Sequence, residues 1–457
     1  MKASFAAALL GTLTLLACHG TPAAKPTVGR STPGPSLDEP AKSAPAEVVF
    51  GSASPASSAP APRVLTDADD PELHAILERV SAARQLPIKQ HVEFRSLGRA
   101  QLLAKMRANL DEEVPPRVLE AQGESYRALG LAPADYAFVD GMLKLFQARI
   151  AGFYDPDDHA MYLLDDLAAA QEEETLPHEL GHALQDQSFS IGPLLHFKEG
   201  DSDRLSAIQQ LVEGDATSVG FEITYGTAFA VDEAALRAAF LYSTKLSAVG
   251  AETPDVLIGS LVSPYTDGFA FAQALRAHGG WRAVDAAFRA LPESTEQTLH
   301  PEKYFVHEKP VAVDAPKIDA LGPGFEIVLA DVNGELGLRL VLEQWTARTV
   351  AVKAAAGWGG DRYVVAKKAG PKPTFAAAFA MKMDTEADAK ELGDVLDQEV
   401  GTRCKERLDF GPMAWRRRGK IVVLTAGPYT LDGGVASSAG DCKLADTWSA
   451  DVLKNTK

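Results

Sequence analysis

His178-Glu179-Leu180-Gly181-His182 is the stretch whose reading decides how this chain is organised. On a helix, residues four apart stack on one face, so His178 and His182 can offer two imidazole nitrogens to one metal ion. Glu179 sits about 100° further round. From there its carboxylate can reach a water beside the metal without becoming a ligand. Two ligands and one base are the physical content of the H-E-x-x-H spacing. A surface helix with two solvated histidines would carry the same letters, so the flanks must decide. Glu172 to Glu174 put negative charge where a helix N-terminus favours it, with Thr175 as the expected N-cap. Pro177 then falls in the first turn, where its missing N–H is harmless. Gly181 weakens the helix by about 1 kcal/mol relative to Ala, but it can leave room beside a metal.

A catalytic zinc needs a third protein ligand and an open position. Asp186 is four residues past His182, yet it would lie about 12 Å from His178 along the axis, against zinc bonds of about 2 Å. Glu213, in Leu211-Val212-Glu213-Gly214-Asp215-Ala216-Thr217, is the better candidate. It lies on a stretch from Arg204 to about Tyr225 that reads as a second helix, with Ile208, Leu211, Val212 and Val219 forming its apolar side. Asp215 is either an acceptor orienting a ligand imidazole or an ordinary exposed acid.

"HELGHALQDQ" followed by "LVEGDAT" resembles the paired signature of gluzincin-type H-E-x-x-H zinc metallopeptidases, in a group of bacterial secreted and membrane-anchored proteins. The resemblance continues through "AGFYDPDDHAMYLL" at Ala151–Leu164, "STEQTLHPEKY" at Ser294–Tyr304 and "AAAGWGGDRYVV" at Ala354–Val365, and so covers most of the chain from about residue 70. Pro177 departs from the aliphatic residue expected before the first histidine. The resemblance implies one Zn²⁺ held by His178, His182 and Glu213, with Glu179 as general base in peptide hydrolysis. It also implies that the second arm of a hairpin before the motif presents its backbone to an extended polypeptide substrate. A further donor must meet the oxyanion; Tyr265, His300 and Tyr304 are the candidates.

The remaining sequence sets the location. Met1 to Cys18 has one Lys, an apolar run of Ala and Leu, and the ending Leu15-Leu16-Ala17-Cys18. This reads as a short secretory signal, and the ending resembles a lipobox in which Cys18 is lipidated. Membrane contact would then pass through the N-terminal lipid, at the periplasmic or outer face of a bacterial envelope. Residues 19–66 are dominated by Ala, Pro and Ser and cannot bury enough surface to fold; as a tether they would reach roughly 40 Å. Cys404 and Cys442 are the other two cysteines, able to form one disulfide in an oxidising compartment or to stay as buried thiols. A formal charge of −17 argues against nonspecific nucleic-acid binding. The Arg416-Arg417-Arg418 run reads as a solvated turn between two strands.

The pattern predicts an α+β protein: a mainly helical zincin-like domain over 67–312 with a small β-hairpin, then a small α+β domain over 313–457. Pro71 to Leu86 and Gly98 to about Leu131 read as helical, with a break at Pro115-Pro116. His91 to Leu97 reads as extended. Ile150 to Leu164 alternates around Asp155-Pro156-Asp157-Asp158 as a hairpin. Residues 234–291 read as helices broken at Pro264 and at Gly279-Gly280, and Pro310 to Pro323 as the domain boundary. Beyond it, helices are expected at Glu335–Trp345 and Thr385–Val400. Strands are expected near Tyr363–Lys368, Phe375–Met383, Met413–Arg417 and Ile421–Ala426. No internal repeat, P-loop, Rossmann fingerprint or serine-nucleophile elbow is present. Two other classes fit the same letters: a non-enzymatic lipoprotein binding peptide or envelope material on a peptidase scaffold, and a zinc hydrolase of other amides or esters. An intact Glu179 weighs against the first, because losing the base is the simplest degeneration.

Overall fold

The computed structural model describes residues 64–167 and 169–457, and for 169–174 the backbone alone. The signal segment, Cys18 and nearly all of the tether lie outside the described residues, as do the side chains of Glu172–Glu174. The tether was expected to run to residue 66, but Val64–Thr66 pairs antiparallel with Glu93–Leu97. Leu65 packs there against the core, which gives those three residues a reason to be ordered.

The protein is α+β. Its first sheet has the order β1 (Val64–Thr66), β2 (Glu93–Leu97), β4 (Ala160–Leu164), β3 (Gly152–Asp155), with β2 and β4 parallel and the other pairs antiparallel. β3 and β4 form the expected hairpin. Lys105 pins its turn by reaching Asp155 at 2.9 Å and Asp158 at 2.8 Å. Beneath it runs the HELGH helix, Ala169–Phe189. This helix starts six residues before Thr175, so Thr175 is not its N-cap and Pro177 lies in its interior. Ala, Gln and Glu at 169–174 are strong helix formers, and they carry the helix past the one main-chain bond that Pro177 removes.

The Glu213 helix, Ser202–Tyr225, packs between the HELGH helix and the long helix Asp255–Gly279. It is buried on all sides from Leu205 to Phe221, so it is central rather than amphipathic. Two glycines set one of its crossings. A Cβ on Gly214 would lie 1.9 Å from the carbonyl oxygen of Gly268, and one on Gly268 would lie 2.3 Å from that of Gln210. The two backbones therefore touch. Pro264 does not break the long helix as expected: Ile258, Leu261, Val262, Phe269 and Phe271 are buried around it, and packing outweighs the lost bond. No helix among the described residues is long and apolar enough to cross a membrane.

Residues beyond 312 build an antiparallel sheet: β5 (Phe325–Asp331), β6 (Trp358–Lys368), β7 (Thr374–Met383), β10 (Ile421–Asp432), β9 (Met413–Arg418), β8 (Cys404–Lys405), with β11 (Val435–Ser438) also on β10. Helix Cys442–Asn455 covers one face through Trp448 and Val452. Cys404 and Cys442 form a disulfide joining β8 to the start of that helix. The arginine run is the end of β9 rather than a turn. Arg416 donates to Ser449 Oγ at 3.0 Å and Arg418 to the Thr456 carbonyl at 3.1 Å.

The other face of this sheet does not close on itself. Phe375, Phe379 and Tyr429 share one continuous core with Leu102, Leu110, Phe146, Leu257, Leu261 and Tyr265. The expected boundary at 312 is a loop in the chain but not a gap in the packing. Hydrogen bonds cross it reciprocally. Asp331 of β5 accepts from Ser202 N–H at 3.1 Å and Ser202 Oγ–H at 2.6 Å, capping the first turn of the Glu213 helix. In return Thr295 Oγ accepts the Leu336 N–H at 3.0 Å, at the start of helix Gly334–Leu342. Asp203, which accepts from Thr295, is pushed by burial up to about 8, and Asp361 beside Gly334 up to about 6. Burial favours the neutral form of Asp203, which lowers the cost of keeping this acidic seam out of water.

Candidate metal centre

His178 and His182 sit one turn apart on the HELGH helix, and Glu213 reaches them from the crossing helix. His178 Nε2 and His182 Nε2 are 3.1 Å apart; Glu213 Oε2 lies 3.2 Å from the first and 3.4 Å from the second. The two rings are nearly perpendicular, at 86°. Zinc bonds of about 2.0–2.1 Å in a tetrahedron place neighbouring ligand atoms about 3.3 Å apart. The three atoms thus form a triangle of the size of one tetrahedral face, from a donor set that zinc takes. All three residues are buried. Burial alone would depress the His182 imidazolium, but the Glu213 carboxylate beside it outweighs this and lifts it to about 9. Burial would likewise raise Glu213, but His182 and His178 hold it below its ordinary value. The cluster therefore favours a positive charge at its centre.

Glu179 stands beside the triangle and is not part of it. Its Oε2 accepts the Tyr154 N–H of β3 at 2.9 Å, while Oε1 is buried with no hydrogen-bond partner among the described residues. Burial raises its pKa, against the lowering by His178 and His182. Gly181 faces away from these groups. A Cβ there would meet Val219 at 3.4 Å and Ala216 at 3.6 Å, so it serves the crossing of the two helices rather than room at the centre.

Asp186 points elsewhere, as helix geometry requires. It accepts from the Tyr154 hydroxyl at 3.0 Å and lies 2.8 Å from His159 Nδ1, tying the hairpin to the helix. Asp215 is buried rather than an exposed acid, but it does not bond either ligand imidazole directly. Between it and His182 stands Gln185, a residue that no motif in the sequence marks out. Gln185 Oε1 is 2.9 Å from His182 Nδ1, and Gln185 Nε2 donates to Asp215 Oδ2 at 2.9 Å. Arg84 Nε donates to Asp215 Oδ1 at 2.6 Å. The one available signal for Gln185 was its i+3 spacing from His182, which puts both on one helix face.

Of the three expected oxyanion donors, the structure brings Tyr265 near. Its ring centroid is 6.0 Å from that of His178, on the helix held close by Gly214 and Gly268. His300 Nε2 instead pairs with Glu335 at 2.9 Å, and the Tyr304 hydroxyl donates to the Ala290 carbonyl at 2.7 Å. The first bond ties His300 to helix Gly334–Leu342, and the second ties Tyr304 to its own segment. The second arm of the hairpin, β4, is paired on both sides and cannot take an added strand. Among the described residues β3 is the edge strand on the hairpin side of the sheet, and its Tyr154 N–H already holds Glu179.

A second acidic group among the described residues, Glu296, Glu308 and Asp384, encloses a lysine. Lys303 Nζ lies 2.5, 3.0 and 2.6 Å from their oxygens, so a side-chain cation already occupies its centre. Residues 326–433 match a domain of unknown function (DUF8575), a stretch that runs from β5 through β10 and contains none of His178, Glu179, His182 or Glu213. No curated protein and no solved structure matches the chain.

Proposed function

We propose that this protein is a zinc-dependent peptidase of gluzincin type, exported and anchored at a bacterial envelope. The observation that carries the reading is the triangle of His178, His182 and Glu213 with the separate, buried carboxylate of Glu179 beside it. An ordinary buried ion pair needs one histidine and one acid. Here there are two imidazoles, one acid at metal-ligand spacing, and a second acid with a free oxygen. Three protein ligands would leave one position of a tetrahedron open. Zinc in this site would supply Lewis acidity, bringing the pKa of a water towards neutrality and polarising a peptide carbonyl.

The chain's own residues would do the rest. Glu179, oriented through Oε2 by the Tyr154 N–H, keeps Oε1 to take a proton from water and deliver it to the leaving amine. Its raised pKa is in the direction such a group needs, because it must hold the proton and then release it. Tyr265 is the candidate donor to the developing oxyanion. The β3 edge is where an extended polypeptide would lie, in place of the β4 arm.

Elemental analysis tests the ligand set. About one zinc per chain is expected in the wild type, mostly lost in His178→Ala, His182→Ala and Glu213→Ala and kept in Glu179→Gln. Full retention in Glu213→Ala would remove Glu213 from the set and overturn the arrangement. Anchoring is read from Leu15-Leu16-Ala17-Cys18 and is tested by fractionation. Cys18→Ser should leave the salt-washed membrane fraction; equal membrane recovery would defeat the lipid anchor.

A further inference from the structure

Gln185 is fully buried, and every polar atom of its side chain is committed. Its Nε2 donates to the Val212 carbonyl at 2.9 Å and to Asp215 Oδ2 at 2.9 Å, while Oε1 faces His182 Nδ1 at 2.9 Å. A carbonyl oxygen only accepts, so Val212 must face the NH₂ end of the amide. The flipped orientation would set the Gln185 oxygen against the Val212 oxygen and beside the Asp215 carboxylate. The amide orientation is thereby fixed from the far side of the residue. Its oxygen can only accept from His182, so His182 must carry a proton on Nδ1. In the neutral ring, the lone pair is then on Nε2, the atom at the triangle.

The restraint is anchored well beyond the motif. Arg84, the last residue of helix Pro71–Arg84, donates to Asp215 at 2.6 Å, pairs with Asp285 at 2.8 Å and lies 4.6 Å over the Trp281 ring. The chain Arg84–Asp215–Gln185–His182 thus links three helices to one ring nitrogen. Arg84 and Gln185 both donate to Asp215, which leaves the Gln185 oxygen to accept from His182 Nδ1.

We infer that Gln185 is a positioning residue, fixing the tautomer and ring orientation of His182 for a divalent metal at Nε2, with Asp215 and Arg84 acting through it. The inference rests on the zinc reading. It differs from the usual direct carboxylate-to-imidazole contact, because the acid here orients an amide and the amide orients the ring.

The test is zinc affinity, measured by competition with a chromophoric chelator on the purified chain. Gln185→Met keeps the length of the side chain and removes both hydrogen-bonding ends. Loss of such outer partners weakens metal binding by about 10–100-fold, and that loss is the expected result. A Gln185 that merely packs would lower the melting temperature and leave the zinc constant of the folded protein unchanged, which would overturn the inference. Should Gln185→Met fail to fold, the wild type decides. Long-range ¹H–¹⁵N spectra of the zinc-loaded, histidine-labelled protein should show the His182 proton on Nδ1; a proton on Nε2 would overturn it. A wild type that binds no zinc would instead sink the peptidase reading itself, so the two failures are distinguishable.

Discussion

Glu179→Gln is expected to leave zinc in place and to slow peptide hydrolysis by roughly 10²–10⁴-fold. Glu179 lies outside the His178–His182–Glu213 triangle, so a neutral amide there does not touch the ligand set. Gln has the same shape and can still accept the Tyr154 N–H through its oxygen, which preserves the link between β3 and the HELGH helix. What it cannot do is take a proton. The group opposite the Tyr154 contact, now an unpartnered carboxylate oxygen, becomes an NH₂ donor. The measurement is chelator-sensitive cleavage of a broad peptide library by matched, zinc-loaded wild type and variant. Unchanged cleavage by Glu179→Gln would sink the mechanism. If neither protein cuts the library and both bind the same peptides equally, the scaffold is a binding module and the peptidase reading falls.

A chain ending at residue 312 is expected not to fold, although the break falls in a loop. Leu102, Leu110, Phe146, Leu257 and Leu261 belong to the same core as Phe375, Phe379 and Tyr429. Exposing a buried side chain of this size costs about 1.5–3 kcal/mol. Four of them would consume most of the roughly 5–15 kcal/mol by which a domain is stable. The truncation also removes Asp331, leaving the first turn of the Glu213 helix without its cap. Circular dichroism and thermal unfolding of residues 64–312 against 64–457 provide the comparison. Cooperative unfolding of the shorter chain at the temperature of the longer one would show two independent domains and refute the shared-core argument.

Local signals were strong wherever the chemistry was local. The Asp155-Pro156-Asp157-Asp158 turn marked the β3–β4 hairpin, and the helices flanking Pro115-Pro116 fell where proline forces a break. Helix ends misled where propensity and packing disagreed. Pro177 and Pro264 both lie inside helices, because good helix formers precede the first and buried neighbours surround the second. β5 and the helix Cys442–Asn455 carry no clear local signal. β5 alternates weakly at a sheet edge, and the helix shows only Ala445, Trp448, Ser449 and Val452 on its buried side.

Sequence alone determined that His178 and His182 share a helix face, that Asp186 cannot join them, and that the chain is α+β. Those conclusions need only the helical rise and the local pattern. The tertiary structure alone decided that Glu213 meets both imidazoles, that Gln185 stands between His182 and Asp215, and that His300 and Tyr304 are occupied elsewhere. It also decided that the residues beyond 312 share one core with Leu102, Phe146, Leu257 and Tyr265, and that Asp331 caps the first turn of the Glu213 helix. Each of these depends on which backbones approach closely enough to touch, as Gly214 and Gly268 do. Such contacts between distant segments leave no period or spacing in the sequence to read.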